Sequence, residues 1–517
     1  MANAVTWFLD RHVAEGRGGT PAFADPHRAL SYAQLAAASA GVAGGLGAAG
    51  IGRERRLAML MLDTVDFPAV FWGAIRAGIV PVPINTLLPA EQVAYILEDS
   101  RAEALAISAP LLPALRHVIA RLPMLRLVLV AGVDGAVLPD PPDGARDLSA
   151  FLSDAPPLPG AVPASDDEVA FWLYSSGSTG APKGAKHVHA SLCATAETYA
   201  DQVLGIARDD VCFSAAKLFF AYGLGNAMTF PMHVGASSVL LPDRPTPDTV
   251  LATLARHPPS LFFGVPTLYA AMLSDPALPR GAGSGRLRLC ISAGEALPEH
   301  VGLRWRERVG VDILDGIGST EMLHIFVSNR PGLIRYGSSG VAVPGYALRI
   351  VDEQDRDLAD GETGELLVSG PSAAEGYWNQ RAKSRRTFAG EWTRTGDKYL
   401  RDPEGFYRYQ GRADDMFKVS GIWVSPFEVE AALASHPAVQ EAAVVGHEDA
   451  DGLVKPMAFV VFKPGATAET EALQGHVKDA AGLWKYPRWI EVVEDLPKTA
   501  TGKIQRFKLR AQLEAQG

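Results

Sequence analysis

A loop rich in glycines and hydroxyl groups spans residues 175–184, with the sequence Ser-Ser-Gly-Ser-Thr-Gly-Ala-Pro-Lys-Gly. Glycines can adopt positive φ and let backbone N–H groups approach phosphate oxygens, hydroxyls donate hydrogen bonds, and lysine supplies positive charge. The combination predicts a phosphate-binding loop. Its candidate residues are Ser175, Ser176, Gly177, Ser178, Thr179, Gly180, Lys183 and Gly184. No Gly-x-x-x-x-Gly-Lys-Ser/Thr sequence occurs, so a classical P-loop nucleoside triphosphatase is not indicated.

The elements that must position this loop can be read from the hydrophobic pattern. Residues 169–174 form an apolar run that predicts a buried strand, with the loop at its carboxyl end, where α/β proteins bind ligands. Short apolar runs at 237–241 and 260–263 predict parallel strands. Helices are predicted to start after Thr246 and after Ser425, the second with a capping box to Glu428. The pattern predicts an α/β fold, with residues 139–163 as a surface connection.

Further motifs follow the loop in chain order. They are Asp-Gly-Ile-Gly-Ser-Thr-Glu at 315–321, Thr-Arg-Thr-Gly-Asp at 393–397, Gly-Arg-Ala-Asp-Asp at 411–415, Lys-Val-Ser-Gly at 418–421 and Pro-Lys-Thr-Ala-Thr-Gly-Lys at 497–503. Their order and spacing resemble those of the adenylate-forming enzymes, which comprise acyl-CoA synthetases, luciferases and the adenylation domains of peptide synthetases. Within this family, residues 171–176 and 217–226 look most like the benzoate-CoA ligases.

The resemblance implies a division into two domains. A large N-terminal adenylation domain with several subdomains would occupy residues 1–412, and a small mobile α+β domain would occupy 413–517. The strand patterns at 439–445 and 457–462 agree with a separate small domain. The family's hinge residue matches Asp414, about which the small domain would turn.

The resemblance also assigns the ATP site. Lys183 and the loop amides suit the β- and γ-phosphates, and Glu321 matches a Mg²⁺-binding carboxylate that works beside Thr179 or Thr320. Asp397 matches the residue that binds ribose, with Arg412 on the ribose or phosphate side. Adenine would lie against residues 292–296 and the following motif, where Ile317 replaces the aromatic residue that the family often has. The candidates around the base are Glu295, Asp315, Gly316 and Ile317.

Residues of the C-terminal region are implied in both halves of the reaction. Lys503 matches the family's catalytic lysine, which bridges the substrate carboxylate and the α-phosphate. Lys418 and Gly421 would then line the tunnel for the pantetheine of coenzyme A in the second half-reaction. A glycine suits a narrow passage because it has no side chain to obstruct it. The implied catalytic set is Lys503, Glu321 and Thr179.

A pocket for a small aromatic acid is expected where glycines and alanines leave room for a flat ring. Its candidate residues are Phe219, Ala221, Tyr222, Gly223, Ala293, Gly294, Gly318, His324 and Ile325. Tyr222 and His324 either bind a ring substituent or are core residues satisfied by the backbone. Benzoate is the first expected substrate, followed by 4-hydroxybenzoate and 2-aminobenzoate. A stand-alone adenylation enzyme that loads a carrier protein and a noncatalytic binding relative are the alternatives.

Composition limits the other functions. The 517 residues carry a net charge of −10 without a basic stripe, which argues against nucleic acid as a partner. The chain begins without a signal-peptide pattern, and acidic residues and an arginine interrupt its most apolar region, so no membrane partner is expected. Three cysteines without metal-ligand spacing fit a reducing cytoplasm. ATP, Mg²⁺, coenzyme A and the acid are the expected ligands, and a homodimer is left open.

Overall fold

The computed structural model describes residues 3–132, 134, 144–154, 156–175, 181–281, 285–412, 415–419, 422–449, 453–482, 485–498 and 504–516. Up to residue 412 the strands are β1 Pro21–Ala24, β2 Ala29–Ser31, β3 Arg56–Leu60, β4 Val80–Pro83, β5 Ala104–Ser108, β6 Leu127–Ala131, β7 Arg146–Asp147, β8 Val169–Ser175, β9 Lys183–Val188, β10 Val211–Ser214, β11 Ser237–Val239, β12 Leu261–Gly264, β13 Leu289–Ser292, β14 Ile313–Gly318, β15 Ile325–Ser328, β16 Val341–Ala342, β17 Ala347–Val351, β18 Gly364–Ser369, β19 Gly376–Tyr377, β20 Phe388–Ala389, β21 Trp392–Arg401 and β22 Tyr407–Arg412.

The helices of the same part alternate with these strands. They are α1 Arg11–Ala14, α2 Tyr32–Ala48, α3 Asp66–Arg76, α4 Ala90–Ser100, α5 Leu112–Ile119, α6 Leu148–Asp154, α7 His189–Thr195, α8 Ala221–Leu224, α9 Phe230–Val234, α10 Pro247–Arg256, α11 Pro266–Ser274, α12 Glu299–Val309 and α13 Arg381–Thr387. A 3₁₀ turn covers Ala109–Leu111, and π-helical segments cover Thr6–Asp10, Ala196–Leu204 and Gly225–Thr229.

Two mostly parallel sheets form the framework of the large domain. Within the described residues, one sheet runs in the order β16-β15-β14-β13-β12-β10-β11-β1-β2 and the other in the order β4-β3-β5-β6-β7. Strands β14 to β1 of the first sheet are parallel to their neighbours, whereas β15, β16 and β2 are antiparallel. The predicted parallel strands at 237–241 and 260–263 are therefore confirmed as β11 and β12, with shorter or shifted bounds.

The strand before the glycine-rich loop differs from the prediction. β8 is buried as expected, but it pairs antiparallel with β9, which in turn pairs antiparallel with β19. The loop therefore joins two antiparallel neighbours and does not follow a strand of a parallel sheet. The hydrophobic pattern reported burial and could not report strand direction.

A further antiparallel sheet, in the order β17-β18-β21-β20 with β22 on β21, lies before the C-terminal region. The expected surface connection at 139–163 is in part wrong, because β7 and α6 fall inside it. β7 pairs with β6 at the edge of the second parallel sheet, and Phe151 of α6 is fully buried. The amphipathic segment has enough apolar side chains to pack, despite its prolines and glycines.

The C-terminal region is a small α+β unit. Its elements are β23 Phe417–Val419, β24 Ile422–Val424, α14 Pro426–Ala434, β25 Val439–Glu448, β26 Val454–Phe462, α15 Thr470–Ala481, β27 Trp489–Val492 and α16 Arg506–Gln516. β25 and β26 are antiparallel, and β27 joins β26 in parallel. The predicted fold class, a large α/β domain followed by a small α+β domain, is confirmed.

Both predicted helix starts are observed, although the second cap differs in detail. The Thr246 hydroxyl accepts a hydrogen bond from the Thr249 amide at the start of α10. The Ser425 hydroxyl likewise accepts from the Glu428 amide at the start of α14. The Glu428 carboxylate does not complete a capping box; it accepts from Lys485 Nζ at 2.5 Å instead. A tertiary ion pair has replaced the local return bond.

Among the described residues, none of the helices combines the length and the apolar composition that crossing a bilayer requires. The three cysteines, Cys193, Cys212 and Cys290, are buried and do not form disulfide bonds.

Candidate active site

Lys183, Glu321 and Tyr377 form a closed cluster of hydrogen bonds. Lys183 Nζ lies 3.0 Å from Glu321 Oε1 and donates to Tyr377 Oη at 2.7 Å. The Tyr377 hydroxyl in turn donates to Glu321 Oε1 at 2.6 Å. The side chains of Lys183 and Glu321 are only 17% and 14% exposed, so the two charges are largely withdrawn from water. The arrangement brings a predicted phosphate-binding lysine onto the predicted metal-binding carboxylate.

The electrostatics of the cluster keep Glu321 ionised. Burial acts to raise the pKa of this carboxyl, but the charge of Lys183 and the hydrogen bonds from Tyr377 and Lys183 outweigh it and hold the pKa below its usual value. Burial and the Glu321 charge raise the pKa of Tyr377, which therefore remains a hydrogen-bond donor at neutral pH. The positive charge of Arg412 also acts on Tyr377, which links this cluster to the ribose side of the predicted site.

Strand pairing brings the three residues together. Lys183 is the first residue of β9, Tyr377 lies opposite Ala185 on β19, and Glu321 lies in the turn after β14. His187 of β9 ties that turn to the strand, because its Nε2 donates to the Thr320 carbonyl at 2.9 Å. Burial lowers the pKa of His187 to about 4, so the ring is neutral and Nε2 is the protonated nitrogen in this contact.

Gly184 is required for a different reason than the sequence indicates. It is absent from the glycines with positive φ, so the expected left-handed conformation is wrong at this position. A Cβ atom here would lie 3.0 Å from the Tyr174 ring. The glycine therefore makes room for the Tyr174 ring of β8. Its carbonyl oxygen accepts a hydrogen bond from the Trp378 amide at 2.8 Å, which extends the pairing of β9 with β19.

Asp397 and Arg412 face each other across β21 and β22. Arg412 Nη1 donates to Asp397 Oδ1 at 2.9 Å and to the Thr395 carbonyl at 3.2 Å. The Asp397 side chain is 13% exposed, whereas that of Arg412 is 41% exposed. The pair therefore places a largely buried carboxyl group beside a more exposed guanidinium.

The predicted adenine-side residues lie on two adjacent strand ends. Asp315 is in β14 and is buried, and burial raises the pKa of its carboxyl well above the usual value. Its backbone carbonyl accepts a hydrogen bond from the Asn329 amide at 2.9 Å. Its Oδ1 has no hydrogen-bond partner within the described part of the chain. Glu295 follows β13 and is half-buried, as is Ile317 in β14.

The expected acid pocket is assembled from four separate segments. Residues 219–223 run into the first turn of α8, and Ala293 and Gly294 follow β13. Residues 316–318 end β14, His324 directly precedes β15, and Ile325 is its first residue. Tyr222 Oη lies 3.2 Å from the carbonyl oxygens of both Gly264 and Ile291, which ties α8 to β12 and β13. Of the two interpretations considered for Tyr222, satisfaction by backbone carbonyls is the one observed.

His324 is buried beside Tyr222, with ring centroids 5.6 Å apart, and its other face meets Phe230 at 4.5 Å. Its Nε2 lies 3.1 Å from Asn226 Oδ1. Burial lowers the pKa of His324 to about 3, so the imidazole is neutral. Its Nδ1 and the Asn226 Nδ2 have no hydrogen-bond partner among the described residues, which leaves polar capacity at this wall. Phe219 is also buried and packs edge-on against Phe220 at 4.5 Å.

Three of the pocket glycines are required by close backbone packing. A Cβ atom would lie 2.1 Å from the Lys217 carbonyl oxygen at Gly223, 2.8 Å from the Val327 carbonyl oxygen at Gly316 and 2.5 Å from the His324 carbonyl oxygen at Gly318. Gly294 differs, because its nearest neighbour would be Val265 Cγ1 at 4.0 Å and its φ is +100°. Gly294 alone among these four therefore faces open space, and the other three define the pocket wall with their main chain.

Several predicted site residues lie outside the described residues. They are Ser176, Gly177, Ser178, Thr179, Gly180, Asp414, Gly421 and Lys503, and of Lys418 only the backbone in β23 is described. Ser175 ends β8 opposite Lys183. Tyr377 and Asn226 were not predicted. The Gly-Tyr-Trp-Asn sequence at 376–379 marks an aromatic turn, but nothing in it indicates the distant partners of Tyr377.

Comparison with known proteins agrees with this geometry. The model of the AMP-binding enzyme family matches residues 10–378, and that of the AMP-binding enzyme C-terminal domain matches residues 428–503. The chain belongs to the AMP-binding enzyme family. The resemblance to adenylate-forming enzymes that the motifs indicated is thereby confirmed.

Relatives with curated names match nearly the whole chain. It is 55% identical to the 4-hydroxybenzoate–CoA/benzoate–CoA ligase of Rhodopseudomonas palustris, over 98% of this chain and 94% of that protein. It is 53% identical to the benzoate–CoA ligase of Thauera aromatica, over 98% of this chain and 96% of that protein. Among solved structures, a benzoate CoA ligase from Burkholderia xenovorans superposes with a TM-score of 0.90 at 47% identity, covering 99% of this chain and 100% of that one.

The packing at Gly223 leads to a stability prediction. Gly223→Ala places a methyl group against the Lys217 carbonyl oxygen, so we expect the free energy of unfolding to fall by about 1–3 kcal/mol. Thermal denaturation measures the loss. Gly47→Ala is the matched control, because a Cβ atom at this exposed position in α2 meets nothing within 4 Å. Equal melting temperatures for the Gly223 variant and the wild type would contradict the prediction.

A second prediction concerns Tyr377. Tyr377→Phe keeps the ring and removes the hydroxyl shared by Lys183 and Glu321, so ATP affinity should fall by roughly tenfold, the worth of one hydrogen bond to charged groups. Titration calorimetry with ATP and Mg²⁺ measures it. Tyr336→Phe is the control, because this phenol also donates to a carboxylate, Asp312 Oδ1 at 2.9 Å, away from the cluster. Unchanged affinity in the Tyr377 variant, or an equal loss in the control, would refute the role.

Proposed function

We propose that this chain is an ATP-dependent aryl-CoA ligase that activates benzoate through benzoyl-adenylate to benzoyl-CoA, with release of AMP and pyrophosphate. The names of the two relatives and of the solved structure support this activity, since each matches nearly the full length of the chain. The motifs predict the same activity independently of those names. The protein is then an acid–thiol ligase of the AMP-forming type.

One structural observation carries the proposal. The turn between β14 and β15 holds Glu321, which contacts Lys183, and the same turn continues directly into His324 and Ile325 of the acid pocket. A group that binds phosphate oxygens and a group that binds an aromatic acid are therefore separated by a few residues of one ordered segment. Adenylation requires this proximity, because the carboxylate oxygen must attack the α-phosphorus in line with departing pyrophosphate.

The phosphate side has a donor set that suits Mg²⁺. A hard cation held by one protein carboxylate and by phosphate oxygens is the usual arrangement for Mg²⁺ in nucleotide sites. Glu321 is ionised and buried, which fits that need, and Thr179 and Thr320 are the proposed hydroxyl ligands beside it. When bound, Mg²⁺ would neutralise charge on the phosphates. Lys183 would leave Glu321 for the β- and γ-phosphates, and the loop residues would donate to the same oxygens.

The nucleoside side is proposed at the adjacent strands. The Asp397 carboxylate can accept hydrogen bonds from both ribose hydroxyls, with Arg412 fixed beside it for the ribose or phosphate. Asp315, Glu295, Gly316 and Ile317 would surround adenine. Burial raises the pKa of the Asp315 carboxyl well above its usual value, and its Oδ1, which has no partner among the described residues, can accept from the exocyclic amine of adenine.

The C-terminal domain, proposed as residues 413–517, would supply a different residue to each half-reaction. In the first, Lys503 would bridge the carboxylate and the α-phosphate while negative charge develops on the nonbridging oxygens. In the second, a turn at Asp414 would withdraw Lys503 and bring Lys418 and Gly421 to the site. The CoA sulfur would then attack the acyl carbon, and AMP would leave with the electron pair of the broken C–O bond.

Benzoate is the proposed acid because the wall formed by Tyr222, His324 and Ile325 is apolar or neutral, without an exposed charge. 4-Hydroxybenzoate is the second candidate. The unpaired Nδ1 of His324 offers a hydrogen-bond partner for a ring hydroxyl, and one relative carries both acids in its name. A cytoplasmic location is proposed because the three cysteines are buried as thiols and are not paired in disulfide bonds.

The first experiment is an AMP-release assay with ATP and Mg²⁺, with and without CoA. We expect CoA-dependent turnover with benzoate and 4-hydroxybenzoate, weaker turnover with 2-aminobenzoate, and none with acetate or a medium-chain fatty acid. Pyrophosphate exchange without any CoA-dependent turnover would indicate that a carrier protein, and not CoA, accepts the acyl group. Turnover confined to aliphatic acids would contradict the aromatic assignment.

The two proposed C-terminal roles predict opposite losses. Lys503→Ala should slow adenylation by roughly 10²–10³-fold and spare thioester formation from preformed benzoyl-adenylate, because its charge serves only the first step. Gly421→Leu should block thioester formation and leave adenylation nearly intact, because the side chain fills the tunnel. Pyrophosphate exchange measures the first step, and CoA consumption from synthetic benzoyl-adenylate measures the second. Equal losses in both steps for either variant would reject its assignment.

A further inference from the structure

A buried ion-pair network links the start of α16 to the domain junction. Arg506, its first residue, donates from Nε and Nη2 to the two carboxylate oxygens of Glu430 at 2.9 and 2.6 Å. Arg506 Nη1 also reaches Asp415 Oδ2 at 3.4 Å, and Arg510 Nη1 donates to Asp415 Oδ1 at 3.0 Å. The Arg506 and Glu430 side chains are only 16% and 9% exposed.

The network holds its members in one geometry. Glu430 lies on α14 and its Oε1 also accepts from the Val444 amide of β25 at 2.7 Å, so the carboxylate is fixed from two sides. A bidentate arginine–carboxylate contact constrains direction as well as distance. Burial acts to lower the pKa of Arg506, but the charges of Glu430 and Asp415 outweigh it and raise the pKa, so the guanidinium is held as a cation. The first turn of α16 is therefore fastened to α14 and to residue 415.

The residues that precede Arg506 in the chain are also held in place by hydrogen bonds and packing. Gln505 N donates to the Pro497 carbonyl at 2.7 Å, and Lys498 and Ile504 form an antiparallel bridge. Leu496 and Leu509 pack in one buried cluster with Val445 and Phe459. Residues 497–498 and 504–505, which flank the segment containing Lys503 in the sequence, are thus held together, and Arg506 directly follows them.

The opposite end of the network lies at the domain junction. Asp415 directly follows Asp414, the proposed hinge residue. Tyr409 of β22 packs edge-on against Phe427 of α14, with centroids 5.2 Å apart, and the charges of Arg506 and Asp415 act on its hydroxyl. One set of ion pairs therefore connects the residue after the hinge with the residue that follows 504–505.

We propose that Arg506, held by Glu430 and Asp415, is a positioning residue that sets the place of Lys503 in adenylation through the flanking residues 497–498 and 504–505. This inference rests on the proposed function, in particular on the role of Lys503. Arg506 acts through Lys503 and touches neither ATP nor the acid. Its loss should therefore impair adenylation, which needs Lys503 in place, and spare thioester formation, which does not.

The test measures both half-reactions for Arg506→Gln, Arg506→Lys and Glu430→Gln. We expect pyrophosphate exchange to slow by about tenfold or more, as for a residue coupled to its neighbour, with thioester formation from benzoyl-adenylate within about twofold of wild type. Arg506→Lys keeps the charge and loses the bidentate fork, so it should slow pyrophosphate exchange too, with a smaller loss of thermal stability than Arg506→Gln. Equal losses in both half-reactions, or none in exchange, would overturn the proposal.

A matched control breaks another ion pair of α14, the helix that carries Glu430. Lys485→Met removes the contact to Glu428 at 2.5 Å, which is connected to neither Asp415 nor Arg506 by a described ion pair, and it should leave both half-reactions unchanged. If Lys485→Met slowed pyrophosphate exchange as much as the Arg506 variants do, and spared thioester formation, the effect would come from any weakening of the contacts of α14. That result would overturn the proposal.

A double variant separates this inference from the proposed function. If Arg506 acts through Lys503, then Lys503→Ala with Arg506→Gln should exchange pyrophosphate within about twofold of Lys503→Ala alone. Losses that multiply would show an independent effect and reject the positioning role. If Lys503→Ala itself leaves exchange intact, the proposed role of Lys503 fails and this inference fails with it. If that variant loses exchange and the Arg506 variants do not, only the inference fails.

Discussion

The charge pair between Lys183 and Glu321 is the contact on which the rest of the site depends. It joins the start of β9 to the turn after β14, and Tyr377 of β19 closes it from a third segment. Because both charges are largely removed from water, the loss of either partner would leave an uncompensated buried charge, at a cost of about 3–5 kcal/mol. The three segments are therefore held together before any ligand arrives. Nucleotide phosphates would exchange partners with this pair, and the cleft would need little rearrangement to accept them.

Main-chain packing sets the shape of the neighbouring pocket that is proposed to bind the acid. At Gly223, Gly316 and Gly318 another strand or loop approaches so closely that a methyl group would collide with a carbonyl oxygen. A wall made of backbone cannot adapt by rotamer changes as a side-chain wall can. Polar discrimination is left to His324, whose ring is fixed by Asn226 and by aromatic neighbours. The proposed pocket thus combines a rigid outline with neutral polar groups.

Ion pairs as well as hydrophobic clusters join the elements of the small domain. Its hydrophobic clusters are modest, and the contacts of Arg506 with Glu430 and Asp415 connect α16, α14 and the residue after the junction. A unit built in this way can move as one body, because its buried charges would be exposed or left unpaired if its elements separated. In the proposed function, these charges would also help to place Lys503.

Much of the fold was predictable because its signals are local. The caps at Thr246 and Ser425 depend on residues within one helical turn, and burial of β8, β11 and β12 follows from apolar runs. The errors arose where a local signal has more than one tertiary outcome. The apolar run of β8 could not specify its antiparallel partner, and Glu428 could either close a cap or pair with the distant Lys485.

The sequence by itself determined the family, the two-domain fold class and the residue types available for binding phosphate, ribose and a flat acid, because these are carried by motifs whose chemistry lies within a few residues. Tertiary structure alone decided that Tyr377 joins Lys183 to Glu321, that backbone approach explains three pocket glycines, and that Arg506 fastens Glu430 to Asp415. Each of these contacts joins segments far apart in the chain. Their partners are chosen by strand pairing and burial, which no short stretch of sequence specifies.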